Sequence, residues 1–355
     1  MKKVLIIGGT GSWGQELTRQ ILNNYDVEKI VIYSRGEHKQ VDMSRKFNDS
    51  RLKFVIGDIR DKSQLKLASM DIDYMFHLAA LKHVPVCERN PVETIKTNIE
   101  GTQFATEVAI ENRIKTFILV STDKAVDPMN VYGVSKSMAE KIVVSANLKT
   151  FNTKFVCIRG GNVLGTTGSV VPLFKEQILK ANEITITDDR MTRYLMRLED
   201  AISLLFTAMI DSKGGEVFVM KMPSIHVSDI SKLMIKELGN DKTQIKQIGI
   251  RPGEKMHEVL VSRYEASRSF EYGDYFVILP TIDINQLYAK WNIKDYLTEE
   301  YNSLNNRFLS EDELKENLQK DGWLEKISVK ELEKYSKDEL LNYFKLENWS
   351  RNNQI

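Results

Sequence analysis

A glycine-rich turn joins an apolar strand to an amphipathic helix at the start of the chain. The strand is the apolar run Val4–Ile7, and a helical pattern extends from Gln15 to Asn23. The turn between them reads Gly-Gly-Thr-Gly-Ser-Trp-Gly. Glycine lets the backbone approach a pyrophosphate, and amides at the helix N-terminus meet its charge. This order of elements predicts a dinucleotide site rather than a merely tight turn. The predicted contacts are Gly8, Thr10, Gly11, Ser12, Trp13 and Gly14.

Further apolar runs alternate with helical segments along the first half of the chain. They are Lys29–Tyr33, Leu52–Ile56, Asp73–Leu78, Thr116–Val120 and Phe155–Ile158. The alternation predicts an α/β fold with a doubly wound parallel sheet, the NAD(P)-binding Rossmann arrangement. Ligands of such sheets bind beyond the carboxyl ends of the strands. The polar and small residues predicted to meet at this edge are Gly8, Arg35, Asp58, Ala79, Asp123 and Asn162.

The end of the second strand indicates which dinucleotide binds. A free ribose 2′-hydroxyl usually meets Asp or Glu about 20 residues beyond the glycine turn. This chain has Ser34 and Arg35 there, and Lys39 follows closely. A guanidinium fork suits a 2′-phosphate, so the pattern favours NADP over NAD. The alternative is a surface arginine at a strand end.

The ends of the third and fourth strands supply further cofactor candidates. Asp58 is suited to accept a hydrogen bond from the adenine amino group, with Ile59 against the ring. The alternative is that Asp58 caps a helix. Small Ala79 and Ala80 leave room for the middle of the cofactor. Two further candidates lie in the same loop. Lys82 is a candidate contact for both the cofactor and the substrate, and His83 is either a substrate contact or a structural histidine.

A polar stretch, residues 121–136, follows the strand Thr116–Val120. Tyr132 and Lys136 are four residues apart and share one helix face if a helix begins near Tyr132. An ammonium beside a phenol favours the phenolate and lowers the pKa of the phenol. The position beyond a strand end favours a catalytic pair over a solvated helix pair.

Two later clusters, residues 189–193 and 250–255, are basic. Arg193 and Arg251 are suited to hold a diphosphate, and Glu254 to accept ribose hydroxyls. Solvated loops are the alternative for each cluster alone. Together with the fold, the clusters indicate a nucleotide-bearing substrate in a second lobe.

Charge and composition exclude several classes of protein. A net charge of +1 gives no basic surplus for binding nucleic acid or anionic membranes. Cys87 and Cys157 are expected to be reduced, with Cys157 in the core, and no metal site is predicted. Apolar runs fall short of the roughly 18 residues that a membrane helix needs. We therefore expect a cytoplasmic protein.

The 355 residues are expected to form two lobes and a tail. The predicted cofactor domain spans 1–165, with 193–229 returning to it. The smaller substrate lobe takes 166–192 and 230–280, and 281–355 is a helical extension.

The tail is rich in Lys, Glu, Asn and Leu. Its capping-box patterns are Ser310 with Glu313, Ser328 with Glu331 and Ser336 with Glu339, each predicting a short helix. Trp323 and Trp349 indicate that the tail packs on something, either as a clasp over the second lobe or as a subunit contact.

At this point the motifs carry a family resemblance. The chain resembles the UDP-N-acetylglucosamine 4,6-dehydratases of the extended short-chain dehydrogenase/reductase superfamily, from Met1 to about Pro280. It is most similar to the C5-inverting enzymes that open pseudaminic acid biosynthesis, with capsule-sugar dehydratases nearby. The matching motifs are Gly-Gly-Thr-Gly-Ser-Trp-Gly at 8–14, Ser-Thr-Asp-Lys-Ala at 121–125, Tyr-Gly-Val-Ser-Lys at 132–136, Gly-Ser-Val-Val-Pro at 168–172, Met-Thr-Arg at 191–193 and Arg-Pro-Gly-Glu-Lys at 251–255.

The resemblance implies a mechanism with a tightly bound, recycled NADP. Tyr132, as a phenolate held by Lys136, takes the proton of the sugar 4-hydroxyl while C4 gives up hydride. Lys124 resembles the C5 base, which must be a neutral amine, and Asp123 resembles the acid that protonates the departing 6-hydroxyl. Thr122 is counted with the catalytic residues, and Asn162 and Val170 with the substrate contacts. A homo-oligomer is also implied.

Residues 124 and 160 bear on the substrate and on the choice of function. Retaining relatives commonly carry Asp-Glu where this chain has Asp123 and Lys124, which favours inversion. Gly160 stands where relatives usually have Tyr, which affects the pocket. The rival functions are a UDP-sugar 4-epimerase, which has no use for the Asp-Lys pair, and a catalytically silent NADP-binding sensor.

Overall fold

The computed structural model describes residues 1–165, 169–282, 284 and 286–326. The chain divides into two compact units. Unit 1 comprises residues 1–160, 199–221 and 259–301, and unit 2 comprises 161–198, 222–258 and 302 onward.

The elements alternate between strands and helices through the first half of the chain. The strands are β1 (Lys3–Ile7), β2 (Lys29–Ser34), β3 (Leu52–Ile56), β4 (Tyr74–His77), β5 (Thr116–Thr122), β6 (Lys154–Gly160), β7 (Asn162–Val163), β8 (Glu183–Ile186), β9 (Thr192–Met196), β10 (Val217–Met220), β11 (Ser224–His226), β12 (Gln244–Gln247), β13 (Val259–Val261), β14 (Ser269–Tyr272), β15 (Tyr275–Ile278) and β16 (Tyr301–Asn302). The α-helices are α1 (Ser12–Asn24), α2 (Glu37–Phe47), α3 (Lys62–Ala68), α4 (Val84–Arg89), α5 (Pro91–Thr94), α6 (Gly101–Glu111), α7 (Val131–Ala146), α8 (Val170–Ala181), α9 (Leu198–Asp211), α10 (Val227–Leu238), α11 (Arg263–Ala266) and α12 (Glu311–Lys320). Turns of other helix types are Ile95–Glu100 (π), Asp123–Ala125 (3-10) and Leu287–Lys290 (3-10).

Unit 1 is built on a nine-stranded sheet in the order β14-β15-β10-β6-β5-β4-β1-β2-β3. The strands from β10 to β3 pair in parallel, whereas β15 and β14 add an antiparallel edge. The central strands are apolar runs buried on both faces, as parallel strands covered by helices require. Cys157 on β6 is fully buried, as predicted. The predicted doubly wound α/β fold is confirmed.

Unit 2 surrounds its own apolar core. Its three-stranded sheet has the order β11-β9-β7, and β8 pairs in parallel with β12. Apolar side chains of α8, α10 and α12 share one core with the strands. The members of this core at the chain's end are Leu314, Leu318 and Trp323.

From residue 302 to 326 the tail packs within unit 2, as a clasp would, whereas residues 286–301 belong to unit 1, where Trp291 contacts Phe218 and Phe270. The subunit contact stays a prediction.

The first capping box is confirmed, since Ser310 Oγ accepts from Glu313 N at 3.3 Å and Glu313 Oε2 accepts from Ser310 N at 2.9 Å. The other two capping boxes and Trp349 lie outside the described residues.

Observed boundaries differ from the predicted ones, because residues 161–165, 193–198 and 222–229 belong to unit 2 and residues 259–301 belong to unit 1. Strands β14 and β15, predicted within the second lobe, complete the sheet of unit 1 because the buried run Tyr275–Ile278 pairs with β10. Helix α8 begins at Val170, and it tolerates Pro172 because the missing N–H lies in the first helical turn, where it costs nothing. Through residues 1–165, 169–282 and 286–326, no helix is long and apolar enough to cross a bilayer.

Trp323 offers a test of the clasp. Its side chain is 2% exposed, and it packs so closely on Gly165 that a Cβ there would lie 2.3 Å from Trp323 Nε1. Trp323→Ala is expected to lower the free energy of unfolding by about 3–5 kcal/mol, because it leaves a large cavity. Urea unfolding followed by circular dichroism measures this loss. The control is Leu304→Ala at an exposed tail position, and equal losses in the two variants would contradict the assignment.

Candidate active site

All six residues predicted at one sheet edge lie within two residues of the carboxyl end of a strand of that sheet. Gly8 follows β1, Arg35 follows β2, and Asp123 follows β5 directly. Asp58 and Ala79 each lie two residues beyond β3 and β4. The sixth, Asn162, lies two residues beyond β6 in the same way, and the chain enters unit 2 there.

The glycine turn makes backbone contacts that a side chain would prevent. Gly8 has φ +81°, and a Cβ there would lie 2.8 Å from the backbone nitrogen of Ala79. A Cβ on Gly14 would lie 2.3 Å from the carbonyl oxygen of Gly9. Gly11 is the N-cap of α1, and no side chain of the described residues caps it. This cradle fits a dinucleotide phosphate, which would accept hydrogen bonds from the backbone amides at the start of α1.

The other predicted residues of the turn lie beside this cradle. The Thr10 carbonyl accepts from Gln15 Nε2 at 3.1 Å, and Ser12 is the first residue of α1. The half-buried ring of Trp13 comes within 3.8 Å of the position of a Cβ on Gly160, the residue at which relatives usually have Tyr.

The end of β2 presents an exposed cation. Arg35 has 57% of its side-chain surface exposed, and its Nη1 lies 4.0 Å from Asp58 Oδ2. Lys39 is exposed on the first turn of α2, and the Ser34 hydroxyl accepts from Gln40 Nε2 at 3.0 Å. The side chains of Arg35 and Lys39 are thus both exposed at the surface.

Asp58 does not cap a helix. Asp61 takes that position at the start of α3, where its side chain accepts from Gln64 N. Arg60 instead holds Asp58 through both carboxylate oxygens, at 3.0 and 2.6 Å, and lowers the pKa of that carboxyl. Ile59 is buried against Gly101 of α6.

A buried asparagine that the sequence analysis left out of the site fixes the loop after β4. Asn98 accepts from Leu81 N at 2.8 Å and donates to Leu81 O at 2.9 Å. Its Nδ2 also lies 2.9 Å from Ser135 Oγ on α7. Asn98 therefore ties the loop containing Ala79 and Ala80 to the helix that carries Tyr132. The signal that identifies this role is the burial of the Asn98 side-chain amide within the π turn, which the sequence alone does not show.

Thr122, Asp123 and Lys124 form a compact polar turn at the end of β5. Asp123 is 1% exposed, and its Oδ1 accepts from Thr122 Oγ1 at 2.8 Å and from Lys124 Nζ at 3.1 Å. Its Oδ2 is buried without a hydrogen-bond partner among the described residues. The turn thus pairs one acid with one amine and leaves one carboxylate oxygen for a ligand.

Helix α7 brings Tyr132 and Lys136 to this turn. It begins at Val131, and its N-cap Asn130 accepts from Gly133 N at 2.8 Å, so the two residues share one face as predicted. A Cβ on Gly133 would lie 2.2 Å from the carbonyl oxygen of Lys124. Only glycine permits this approach between the helix and the turn.

The electrostatics of Tyr132 differ from the expectation. Burial raises the pKa of Tyr132 to about 12, opposed by the charge of Lys124 and a hydrogen bond with the Thr122 side chain. Lys136 donates from Nζ to the Val120 carbonyl at 2.8 Å, which directs its ammonium to β5. In this state Lys124 and Thr122, rather than Lys136, favour the phenolate.

Lys82 and His83 follow in the loop before α4. Desolvation, and then the charge of Lys124, lower the pKa of Lys82, so the two lysines lie near each other. His83 is exposed at the N-cap position of α4, which rules out a core role for it.

Unit 2 holds the remaining candidates. Arg193 donates from Nη1 to the carbonyls of Thr192 (2.7 Å) and Met256 (3.2 Å), and its Nε lies 3.7 Å from Glu258 Oε1. Arg251 is exposed, with Nη1 3.7 Å from Glu254 Oε1.

Two predicted substrate contacts stand at the start of unit 2. Asn162 Oδ1 is buried without a partner among the described residues, which suits a ligand contact. Val170 packs against the core of unit 2. Gly168 of the predicted motif lies outside the described residues. Across the described ranges, no group of three or more His, Cys, Asp or Glu side chains is placed to hold a metal ion.

The chain is similar to known proteins over most of its length. Residues 4–280 match the family described as polysaccharide biosynthesis protein. A UDP-N-acetylglucosamine 4,6-dehydratase (inverting) of Campylobacter jejuni is 43% identical over 286 residues, which cover 80% of this chain and 84% of that protein. A UDP-glucose 4-epimerase of Rickettsia canadensis is 39% identical over 325 residues, covering 89% and 94%. The X-ray structure of Pen from Bacillus thuringiensis has 37% sequence identity and a TM-score of 0.82, covering 89% of this chain and 96% of that one.

Gly133 is expected to be irreplaceable even by alanine. In Gly133→Ala the new methyl meets a backbone oxygen, so helix and turn must separate at a cost of about 2–4 kcal/mol in the free energy of unfolding. Chemical denaturation measures the cost. Gly36→Ala is the matched control, because a Cβ there finds its nearest neighbour only at 3.8 Å. A Gly133→Ala variant as stable as this control would refute the close contact.

Proposed function

We propose that this chain, which belongs to the polysaccharide biosynthesis protein family, catalyses the 4,6-dehydration of UDP-N-acetylglucosamine with inversion at C5. The product is a UDP-4-keto-6-deoxy-N-acetylhexosamine for a bacterial surface glycan or nonulosonic acid. The named dehydratase relatives support the substrate and reaction. The observation that carries the proposal is the contact of Asp123 with Lys124, beside Tyr132.

The residues of unit 1 fit a nicotinamide dinucleotide. Gly8, Gly11 and Gly14 would hold its diphosphate, and Asp58 its adenosine end. Arg35 and Lys39 would pair with a 2′-phosphate, which favours NADP. When bound, the cofactor takes hydride from C4 of the sugar and returns it to C6.

Tyr132 and Lys136 serve the oxidation of C4. Tyr132 as phenolate takes the proton of the 4-hydroxyl, while the C–H electron pair leaves C4 as hydride. The carbonyl formed at C4 makes the neighbouring C5 proton acidic. Lys136 Nζ donates to the Val120 carbonyl on β5, and this hydrogen bond fixes the positive charge of the lysine.

Asp123 and Lys124 serve the elimination. The amine of Lys124 takes the C5 proton, the C5–H electrons form the C5=C6 bond, and the 6-oxygen leaves with the proton of Asp123 as water. This leaves a carboxylate and an ammonium, the charge state in which an ion pair at 3.1 Å is favourable. One proton passing from Lys124 to Asp123 restores the acid and the base. Once hydride has reached C6, the resulting enolate takes a solvent-derived proton at C5 from the opposite face, which inverts that centre, and Tyr132 gives its proton back to solvent.

Unit 2 is proposed to hold the nucleotide of the substrate. Arg193 and Arg251 supply guanidinium groups for a diphosphate, and Glu254 accepts ribose hydroxyls. Asn162, with its buried unpartnered oxygen, would accept a hydroxyl or amide of the sugar.

A UDP-sugar 4-epimerase is the second candidate, and the epimerase relative favours it. Epimerisation needs the Tyr132 and Lys136 pair but no acid or base for C5 and C6. The buried Asp123, bonded to Lys124 and retaining an unpartnered oxygen, favours dehydration over epimerisation. Proton NMR in heavy water with UDP-N-acetylglucosamine separates the two, because only dehydration yields a 6-methyl signal with deuterium at C5. A 4-epimer without a methyl signal would replace the proposal.

Lys124→Met is expected to abolish the methyl signal, and oxidation at C4 should also slow because the charge of Lys124 lowers the pKa of Tyr132. Methionine preserves the length of the chain but takes no proton, so the sugar stops at the 4-keto stage and absorbance at 340 nm accumulates. The fall in turnover should be about 10²–10⁴-fold, the range for a general base. Lys115→Met at an exposed position before β5 is the control. Unchanged dehydration in Lys124→Met would remove Lys124 from the mechanism.

Arg35→Ala tests the preference for NADP. Loss of the guanidinium removes a charge-assisted partner of the 2′-phosphate, which should weaken NADP about 10–100-fold and leave NAD nearly unaffected. Mass spectrometry of nucleotide released from the purified proteins should show NADP in the wild type and a larger NAD share in the variant. The control is Arg45→Ala, farther along α2. An identical nucleotide ratio in Arg35→Ala and wild type would contradict the preference.

A further inference from the structure

A buried ion cluster lies behind the catalytic helix of unit 1. Arg159 on β6 is 4% exposed and uses all five of its N–H donors. Nε and Nη2 donate to Glu140 at 2.9 and 2.7 Å, Nη1 and Nη2 donate to Glu265 at 2.8 and 2.9 Å, and Nη1 also donates to the Leu260 carbonyl at 3.0 Å. Two carboxylates are thereby fixed on one guanidinium away from water.

Glu140 is aligned with the catalytic residues. Tyr132, Lys136 and Glu140 stand at successive positions four apart on α7 and so share one helix face. Lys136 and Glu140 are both buried, and their side chains are neighbours at helical i,i+4 spacing. The cluster therefore places a fixed negative charge one helical turn beyond the ammonium of Lys136.

Such a cluster is weak evidence for stability alone. The free energy lost in desolvating a guanidinium and two carboxylates is about as large as the free energy gained from their attraction. Apolar residues in the same positions often give equal stability. The Glu140 carboxylate is kept charged at this energetic cost beside buried Lys136, which indicates a role in the ionisation of that lysine.

We infer that Glu140 is a positioning residue for the reaction and acts through Lys136. Arg159 and Glu265 lock its carboxylate in place, and its negative charge keeps the buried lysine in the ammonium form. The inference rests on the proposed function, in which Lys136 must carry a positive charge while Tyr132 acts as the base.

The surroundings of Lys136 agree with this direction. Burial lowers the pKa of Lys136 to about 8, and Glu140 opposes the decrease. The other titratable groups around it are Cys157 on β6, whose pKa burial raises, and His77 on β4, whose pKa burial lowers to about 3, so both are neutral at pH 7. Arg159 is engaged by its two carboxylates. Within the described structure Glu140 is thus the anion that supports Lys136.

Glu140→Gln tests the inference with little change of shape. Loss of the negative charge lowers the pKa of Lys136, so the ammonium is lost at lower pH. The basic limb of the pH profile of kcat/KM for dehydration should move down by about one unit. At pH 9 activity should fall about tenfold relative to wild type, with less effect near pH 6.5.

Glu265→Gln is the matched control. It removes the other carboxylate from the same guanidinium and so weakens the same cluster, but it leaves Glu140 beside Lys136. Its basic limb should stay where the wild type has it, even if both variants unfold at lower temperature. Equal shifts in the two variants, or none in Glu140→Gln, would overturn the inference and leave a purely structural cluster.

A second readout does not depend on turnover. Proteins labelled with ¹³C at lysine Cε are titrated by NMR, with the Lys136 signal assigned by its absence in Lys136→Met. The midpoint for Lys136 should be lower in Glu140→Gln than in wild type and Glu265→Gln. A wild type that titrates as expected but does not dehydrate the sugar refutes the proposed function alone, whereas an unmoved Lys136 midpoint refutes this inference alone.

Discussion

The approach of α7 to the turn at the end of β5 is the constraint on which the site depends. The two backbones come so close that a single methyl on Gly133 would meet the carbonyl of Lys124. This contact sets the distance between the phenol of Tyr132 and the side chains of Asp123 and Lys124. Because the helix begins one residue before Tyr132, its capped first turn fixes the phenol while its buried second turn fixes Lys136. The glycine within Tyr-Gly-Val-Ser-Lys is therefore as much a part of the chemistry as its neighbours.

Much of unit 1 was predictable because its sites are local. Most candidates in unit 1 lie within a few residues of a strand end, and parallel strands bring their carboxyl ends to one edge. Gly8, Arg35 and Asp123 follow from this rule with no knowledge of tertiary contacts. Asn162 follows the same rule, two residues beyond the end of β6 at Gly160, where the chain enters unit 2.

Residues whose role depends on distant partners were not predictable. Arg159 meets Glu265 across 106 positions of the chain, and Asn98 meets Ser135 across 37. No spacing in the sequence encodes either contact. The same holds for β14 and β15, since four apolar residues do not reveal which sheet will accept them. Burial of a polar group, visible only in the fold, is the signal that identifies such residues.

In the proposed dehydration, the charges around Tyr132 account for the order of the two halves of the reaction. In the unreacted site the ammonium of Lys124 lowers the pKa of Tyr132, which burial alone would hold too high for a base. Once Tyr132 has taken the 4-hydroxyl proton, it is neutral and no longer stabilises that ammonium. The buried carboxylate of Asp123, 3.1 Å from Lys124 Nζ, is then the remaining acceptor for its proton. That transfer creates the neutral amine and the protonated acid that elimination requires. Oxidation at C4 would in this way prepare the base for C5, so Lys124 serves as a cation first and as a base second.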